Sequence, residues 1–213
     1  MQRHLDVTHP RIEEYLLRVS PPRDPILEEM EALASRKGFP IVGPLVGGLL
    51  YVITRSLGAR RVLELGSGFG YSAVWFARAM GPEGRVVATE ASRDNAALAE
   101  RFLAGAGVAD RVDYRIGDAL EIAQGLDGPF DIVFNDIDKQ HYPRALSVAN
   151  RLLRIGGLFI SDNMLWFGSV VEENQEETTR GVRELTRMLY ASPHFITSLI
   201  PLRDGVTLSL RVG

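Results

Sequence analysis

The sequence predicts an α/β fold: a doubly wound, mostly parallel sheet of seven strands, with an antiparallel hairpin at its C-terminal edge and a helical cap before it. Three observations predict it. From Ala59 onward, short β-branched runs alternate with longer helical patterns. The first of these runs opens into a glycine-rich turn, and the last two are separated only by Arg203, Asp204 and Gly205.

Taken in order, the first 58 residues read as helices interrupted between Ser20 and Pro25 and again between Gly38 and Pro44, because proline and glycine punctuate helical patterns. Neither half of this stretch could bury a core alone. It is therefore expected to be a cap (1–58) on a core (59–213) within one domain spanning 1–213. RVLEL, RVVATE, RVDYRIGD, FDIVFND and GLFISDN follow as strands, each trailed by a helical pattern, and crossovers of that length make neighbouring strands parallel. The acidic run from Glu172 to Thr178 precedes a helix through Tyr190 and suits the positive end of its dipole, as a solvated face. FITSLIPL and VTLSLRV close the chain as the antiparallel hairpin.

Composition narrows the function. With 46% hydrophobic and 24% charged residues over 213 positions, the chain has the profile of one soluble globular domain. A net charge of -3 offers no overall basic field, which argues against a general nucleic-acid binder. Cysteine is absent, so disulfides and thiolate-held zinc or iron–sulfur sites are excluded, and a reducing cytoplasm is the compatible location. The apolar run from Ile41 to Ile53 falls short of the roughly 20 residues a membrane span needs and is interrupted by Pro44, Gly47 and Gly48. The opening MQRHLDVTHP lacks the apolar core of a signal peptide, so no membrane partner is expected.

VLELGSGFGYS passes from strand through turn into helix, the place where a doubly wound sheet lets backbone approach a nucleotide-like ligand. A phosphate-cradling loop is excluded, since no Gly-Lys-Ser/Thr follows. A dinucleotide fingerprint would need a small residue where Tyr71 stands, which disfavours NAD. A nucleoside without a pyrophosphate remains, and S-adenosylmethionine fits. Glu90, at the end of VVATE, can accept from both ribose hydroxyls; Asp118 and Ala119 sit where the third strand ends, suited to the adenine edge. Glu64 lies inside an apolar strand, where a carboxylate needs a partner, and the ligand's amino group would supply one. The plainer alternatives are a glycine turn that only tightens packing and strand-end acids that are merely solvated.

FNDIDKQHY poses a second question, since Asp136, Asp138 and Lys139 crowd in where a buried strand ends. The next strand ends in Asp162 and Asn163, and parallel strands bring both ends to the rim that carries the glycine loop. Two converging carboxylates repel unless a cation intervenes. With only oxygen donors at hand, that cation should be hard: Mg²⁺ foremost, with Mn²⁺ or Ca²⁺ as alternatives. The alternative is that these acids cap the helices that follow them. Lys37 and Lys139 are the only lysines among 24 basic residues, and lysine, unlike arginine, can release its proton; Lys139 is thus either a general base or a salt-bridge partner of Asp136 or Asp138.

From about Gly38 to the end, these motifs resemble the cation-dependent class I O-methyltransferases, the group that includes caffeoyl-CoA and animal catechol O-methyltransferases. LELGSGFGYSA, the DxDKxxY of Asp136 to Tyr142, DNMLWFGSVV from Asp162 to Val171 and LRDGVTLSLR carry the resemblance. It implies a Rossmann-like fold, Asp136, Asp162 and Asn163 as metal ligands, and Lys139 as the catalytic base. It also implies cofactor contacts from Glu64, Gly66, Ser67, Gly70, Tyr71, Ser72, Glu90, Ala119, Asp136 and Asp138, with Val42 closing over from the cap. Trp166 and Phe167, with Lys139, would line the acceptor pocket; a tryptophan there also serves as ordinary core. Phe167 stands where the plant enzymes have asparagine, and Val42 where they have a small hydroxyl residue, so specificity for coenzyme A thioesters is not carried over. Asn135 departs from the apolar residue usual before the metal acid.

The reaction so implied is methyl transfer from S-adenosylmethionine to one oxygen of a catechol-like vicinal diol on a small aromatic acceptor, in a homodimer. The runner-up acceptor is 5-hydroxyuridine in tRNA, whose adjacent oxygens chelate a metal in the same way; the negative net charge and the Trp166–Phe167 pair favour the small aromatic. A non-catalytic S-adenosylmethionine-binding module is the alternative of a different class.

Overall fold

The computed structural model describes residues 7–173 and 175–213; the first six residues and Asn174 of the acidic run lie outside the described residues. Seven strands form one sheet: β1 (Arg61–Leu65), β2 (Arg85–Glu90), β3 (Val112–Ile116), β4 (Phe130–Asn135), β5 (Leu153–Ser161), β6 (Phe195–Ile200) and β7 (Val206–Arg211). Their order is β3-β2-β1-β4-β5-β7-β6, with the first five parallel and β7 antiparallel to both its neighbours. This is the expected doubly wound sheet with its hairpin. The strand order reverses at β1, with β2 and β3 added on one side and β4 and β5 on the other, so β1 and β4 lie at the switch point where such sheets open a crevice.

Alternation along the strands sends side chains to two apolar layers. Val62, Ile132, Phe134 and Ile160 face α3 (Gly43–Ser56), α4 (Tyr71–Met80) and α5 (Arg93–Gly105). Leu63, Leu65, Val133 and Phe159 face α6 (Ala119–Gln124), α7 (Tyr142–Leu152) and α8 (Glu177–Ala191). Central parallel strands are covered on both faces, which is why Ile132, Val133 and Phe134 follow one another as a continuous apolar run.

Two further helices precede α3: α1 (Pro10–Val19) and α2 (Pro25–Lys37). Asp24 caps α2 by accepting from Leu27 N at 3.1 Å, and Pro25 fits its first turn. Leu27, Met30 and Ala34 of α2 and Val46 and Leu50 of α3 join the first apolar layer, whereas α1 buries no residue. Among the described residues, no helix is long and apolar enough to cross a membrane.

Candidate functional site

The glycine turn is shaped by what lies against it. Gly66 has φ +82°, and a Cβ there would stand 2.5 Å from the carbonyl oxygen of Asp136, so only glycine lets β1 leave the sheet against the end of β4. Ser67 N donates to Thr89 O at 2.9 Å, and Gly68 N donates to the Glu90 carboxylate at 3.0 Å. Glu90 also accepts from Ser92 N (2.9 Å) and Asn95 Nδ2 (3.2 Å), so three donors fix its orientation before any ligand arrives. Asp118 caps α6, accepting from Leu120 N and Glu121 N, both at 2.9 Å.

Glu64 is fully buried. Ser67 Oγ donates to it at 2.8 Å, and the Ser72 hydroxyl donates to its other oxygen. Burial pushes its carboxyl up to about 7; the serine hydrogen bonds oppose the rise, and the charges of Asp136 and Glu90 add to it.

A cavity of about 750 Å³ opens over this turn. One wall carries Gly66, Ser67, Tyr71, Ser72, Glu90, Asp118 and Ala119; the other carries Asp136, Asp138, Lys139, Asp162, Asn163, Trp166 and Phe167, with Val42 at the entrance to α3. The structure thus gathers all but two of the residues singled out from the sequence. Glu64 and Gly70 lie behind the wall: Glu64 holds Ser67 and Ser72, and Gly70 begins α4 against Ala99 and Leu103. A second cavity of about 920 Å³, lined in part by α1 and α2, meets the first at Asp162, Asn163 and Phe167.

On the acidic wall, Asn135 and Ser161 are paired in register, so Asp136 and Asp162 leave adjacent parallel strands side by side. Asp162 N donates to Asn135 O at 3.2 Å, and Asp136 N to Leu65 O at 2.8 Å, tying three strand ends together. Lys139 Nζ lies 2.7 Å from Asp136 Oδ1, the salt bridge weighed from the sequence, and 5.6 Å from the Trp166 ring centroid. Burial pushes the Asp162 carboxyl up to about 7, the Asp136 charge adds to it, and Lys139 and Arg203 oppose it. The short 3-10 turn Lys139–His141 has no side-chain cap, so the capping role allowed for the acids is absent there. Gly181 of α8 packs against that turn closely enough that a Cβ would lie 2.9 Å from Gln140 Cα and collide with the Lys139 carbonyl.

The donor set fits a hard divalent ion: two carboxylates leaving adjacent strands, the Asp136 charge raising the proton affinity of Asp162, and the amide of Asn163 on the same wall. Among the described residues no three His, Cys, Asp or Glu side chains group as metal ligands, and Asn163 is the amide side chain that lines the same wall as the two carboxylates.

Sequence reasoning passed over Asp204, reading Arg203–Gly205 only as a turn. Its carboxylate accepts from Phe167 N at 2.5 Å and from Asn163 Nδ2 at 3.3 Å, while Arg203 donates to Ile41 O at 2.8 Å and to Val42 O. Its place in LRDGVTLSLR was the available signal.

An O-methyltransferase family profile matches residues 19–212. The chain is 31% identical to a caffeoyl-CoA O-methyltransferase of Eucalyptus gunnii, covering 99% of this chain and 93% of that one. It is 38% identical to a catechol O-methyltransferase of Mycobacterium tuberculosis, covering 69% and 67%. Among solved structures, the O-methyltransferase of tomaymycin synthesis from Streptomyces achromogenes, in complex with SAM, superposes with a TM-score of 0.88 at 33% identity, covering 95% and 96%. A Bacillus cereus O-methyltransferase in complex with SAH gives 0.87 at 31%, covering 94% and 97%.

Proposed function

This chain belongs to the O-methyltransferase family, and on that premise we propose that it moves a methyl group from S-adenosylmethionine to one oxygen of a catechol-like vicinal diol on a small aromatic acceptor. The observation that carries the proposal is the pairing of Asp136 with Asp162 at one strand-end rim, beside Lys139 and across a single cavity from Ser67, Ser72 and Glu90.

The cofactor side binds and orients. Glu90, held by its three donors, keeps lone pairs for the ribose hydroxyls, and Asp118 and Ala119 border the adenine end. Buried Glu64 fixes the two serines that line the cofactor wall.

The acceptor side handles the proton. A phenol with an ordinary pKa near 10 is a poor nucleophile at neutral pH. Asp136, Asp162 and Asn163 would hold Mg²⁺, or Mn²⁺ or Ca²⁺ in its place, and such an ion supplies Lewis acidity that favours loss of that proton. Lys139, with its side chain 11% exposed beside Asp136, is the group that takes the proton, at Nζ. Trp166 and Phe167, with ring centroids 5.5 Å apart, flank the acceptor and keep water from the reacting oxygen. The acceptor enters from the second cavity, which reaches the rim at Asp162 and Asn163.

The test is transfer of labelled methyl to caffeate and, in parallel, to bulk tRNA, before and after EDTA with verified metal removal. Caffeate is expected to be labelled, to lose the label with EDTA and to regain it with Mg²⁺. Full activity after metal removal would sink the cation; labelling of tRNA alone would replace the acceptor.

A further inference from the structure

Among the described residues, four non-glycine residues have positive φ: Asn163 (54°), Trp166 (45°), Phe167 (52°) and Arg203 (50°). All four lie in the two loops that meet at the rim, one after β5 and one between β6 and β7. Backbone in that region is costly for an L-residue and persists only where surrounding bonds impose it. The bonds that hold the first of these loops come from one turn, Asp204 and Gly205.

Asp204 Oδ1 accepts from Phe167 N at 2.5 Å, and its Oδ2 accepts from Asn163 Nδ2 at 3.3 Å. Its own carbonyl accepts from Leu165 N at 2.8 Å, and the carbonyl of Gly205 accepts from Met164 N at 2.9 Å. Gly205 leaves no alternative spacing, since a Cβ there would stand 2.9 Å from Leu165 N. The loop of Asp204 thus grips residues 163–167 along their length.

A carboxylate accepts hydrogen bonds and donates none, so Asn163 has to turn its NH₂ toward Asp204. That leaves the amide oxygen as the atom Asn163 can offer to a cation. We propose that Asp204 is a positioning residue for the metal site: it selects the amide orientation of Asn163 that makes this side chain a ligand, and it pins Trp166–Phe167 through the same carboxylate. The inference rests on the reading of Asp136, Asp162 and Asn163 as cation ligands. Partners that orient metal ligands in this way are worth about 10- to 100-fold in affinity.

Asp204→Asn separates this role from mere packing. Its one side-chain oxygen stays with Phe167 N, and its NH₂ then faces the NH₂ of Asn163, which must rotate and withdraw its oxygen. Mn²⁺ titration of the metal-free protein, followed by the EPR signal of free Mn²⁺, should show dissociation about 10- to 100-fold weaker than wild type. S-adenosylhomocysteine affinity, measured by calorimetry, should stay within about threefold because its wall of the cavity is untouched. The exchange Asn163→Asp with Asp204→Asn restores one donor facing one acceptor and should recover most of the Mn²⁺ affinity. Wild-type Mn²⁺ affinity in Asp204→Asn, a parallel fall in S-adenosylhomocysteine affinity, or no recovery in the exchanged pair would overturn the role of Asp204. Absence of Mn²⁺ binding in the wild-type chain would instead overturn the cation reading on which it rests.

Discussion

The two walls of the cavity solve opposite problems. On the glycine-turn wall the polar groups are satisfied by the chain itself: Glu90 has three donors, Asp118 two, and Glu64 two serine hydroxyls. On the strand-end wall, Asp136 and Asp162 stand side by side with Lys139 as close counter-charge, and Asp162 is pushed up to about 7. The first wall is a finished mould that a ligand enters with little rearrangement. The second is an unfinished electrostatic arrangement that a cation would complete. A site that must hold a donor and activate an acceptor needs both, and under the proposed function the first wall would serve binding and the second chemistry.

The sharpest way to break the contrast is Asp162→Ala. It should lower kcat about a thousandfold or more, through loss of several kcal/mol of Lewis-acid stabilisation, yet leave S-adenosylhomocysteine affinity within a few fold by calorimetry. Equal losses in both would merge the two walls into one function. Next comes Lys139→Arg, which keeps a cation near Asp136 but cannot give up its proton; kcat should fall about a hundredfold in steady-state assays while Mn²⁺ binding persists.

Glu64 offers a smaller effect, read as stability. Its folded carboxyl titrates near 7, above the ordinary glutamate value near 4.5, so between those values the folded state holds a proton that the unfolded state has released. Stability from this group therefore falls as pH rises through that window and levels off above it. In urea melts of metal-free protein, wild type should lose about 2 kcal/mol more than Glu64→Gln between pH 5 and 8. An identical pH slope in both proteins would contradict the buried charge. The smallest effect is Glu90→Ala: a KM for S-adenosylmethionine raised about tenfold with kcat nearly unchanged, since the lost hydrogen bonds serve ground and transition states alike.

The sheet and much of the site were legible because local sequence specifies them. β-branched runs, crossover lengths and the glycine turn are short-range signals, and strand ends in a parallel sheet share a rim by geometry alone. Asp136 and Asp162 could thus be brought together from positions 26 residues apart in the chain. What stayed hidden depends on contacts across longer separations. Asp204 lies 41 residues from Asn163, on a turn whose composition satisfies hairpin rules without reference to any partner. Glu64 was expected on the cavity wall, but strand alternation is silent on whether Ser67 and Ser72 would stand between it and the ligand.

Gly181 gives the site a dependence that no inspection of its surface would show. The helix that carries it reaches the cavity only through Thr178 in its first turn, yet further along its bare backbone is the backstop against which the lysine turn rests. A methyl group added there would shove that turn bodily outward, and Lys139 would travel with it. The tolerance of this catalyst to change is therefore governed partly from the rear, by one missing side chain whose value lies in the space it leaves vacant.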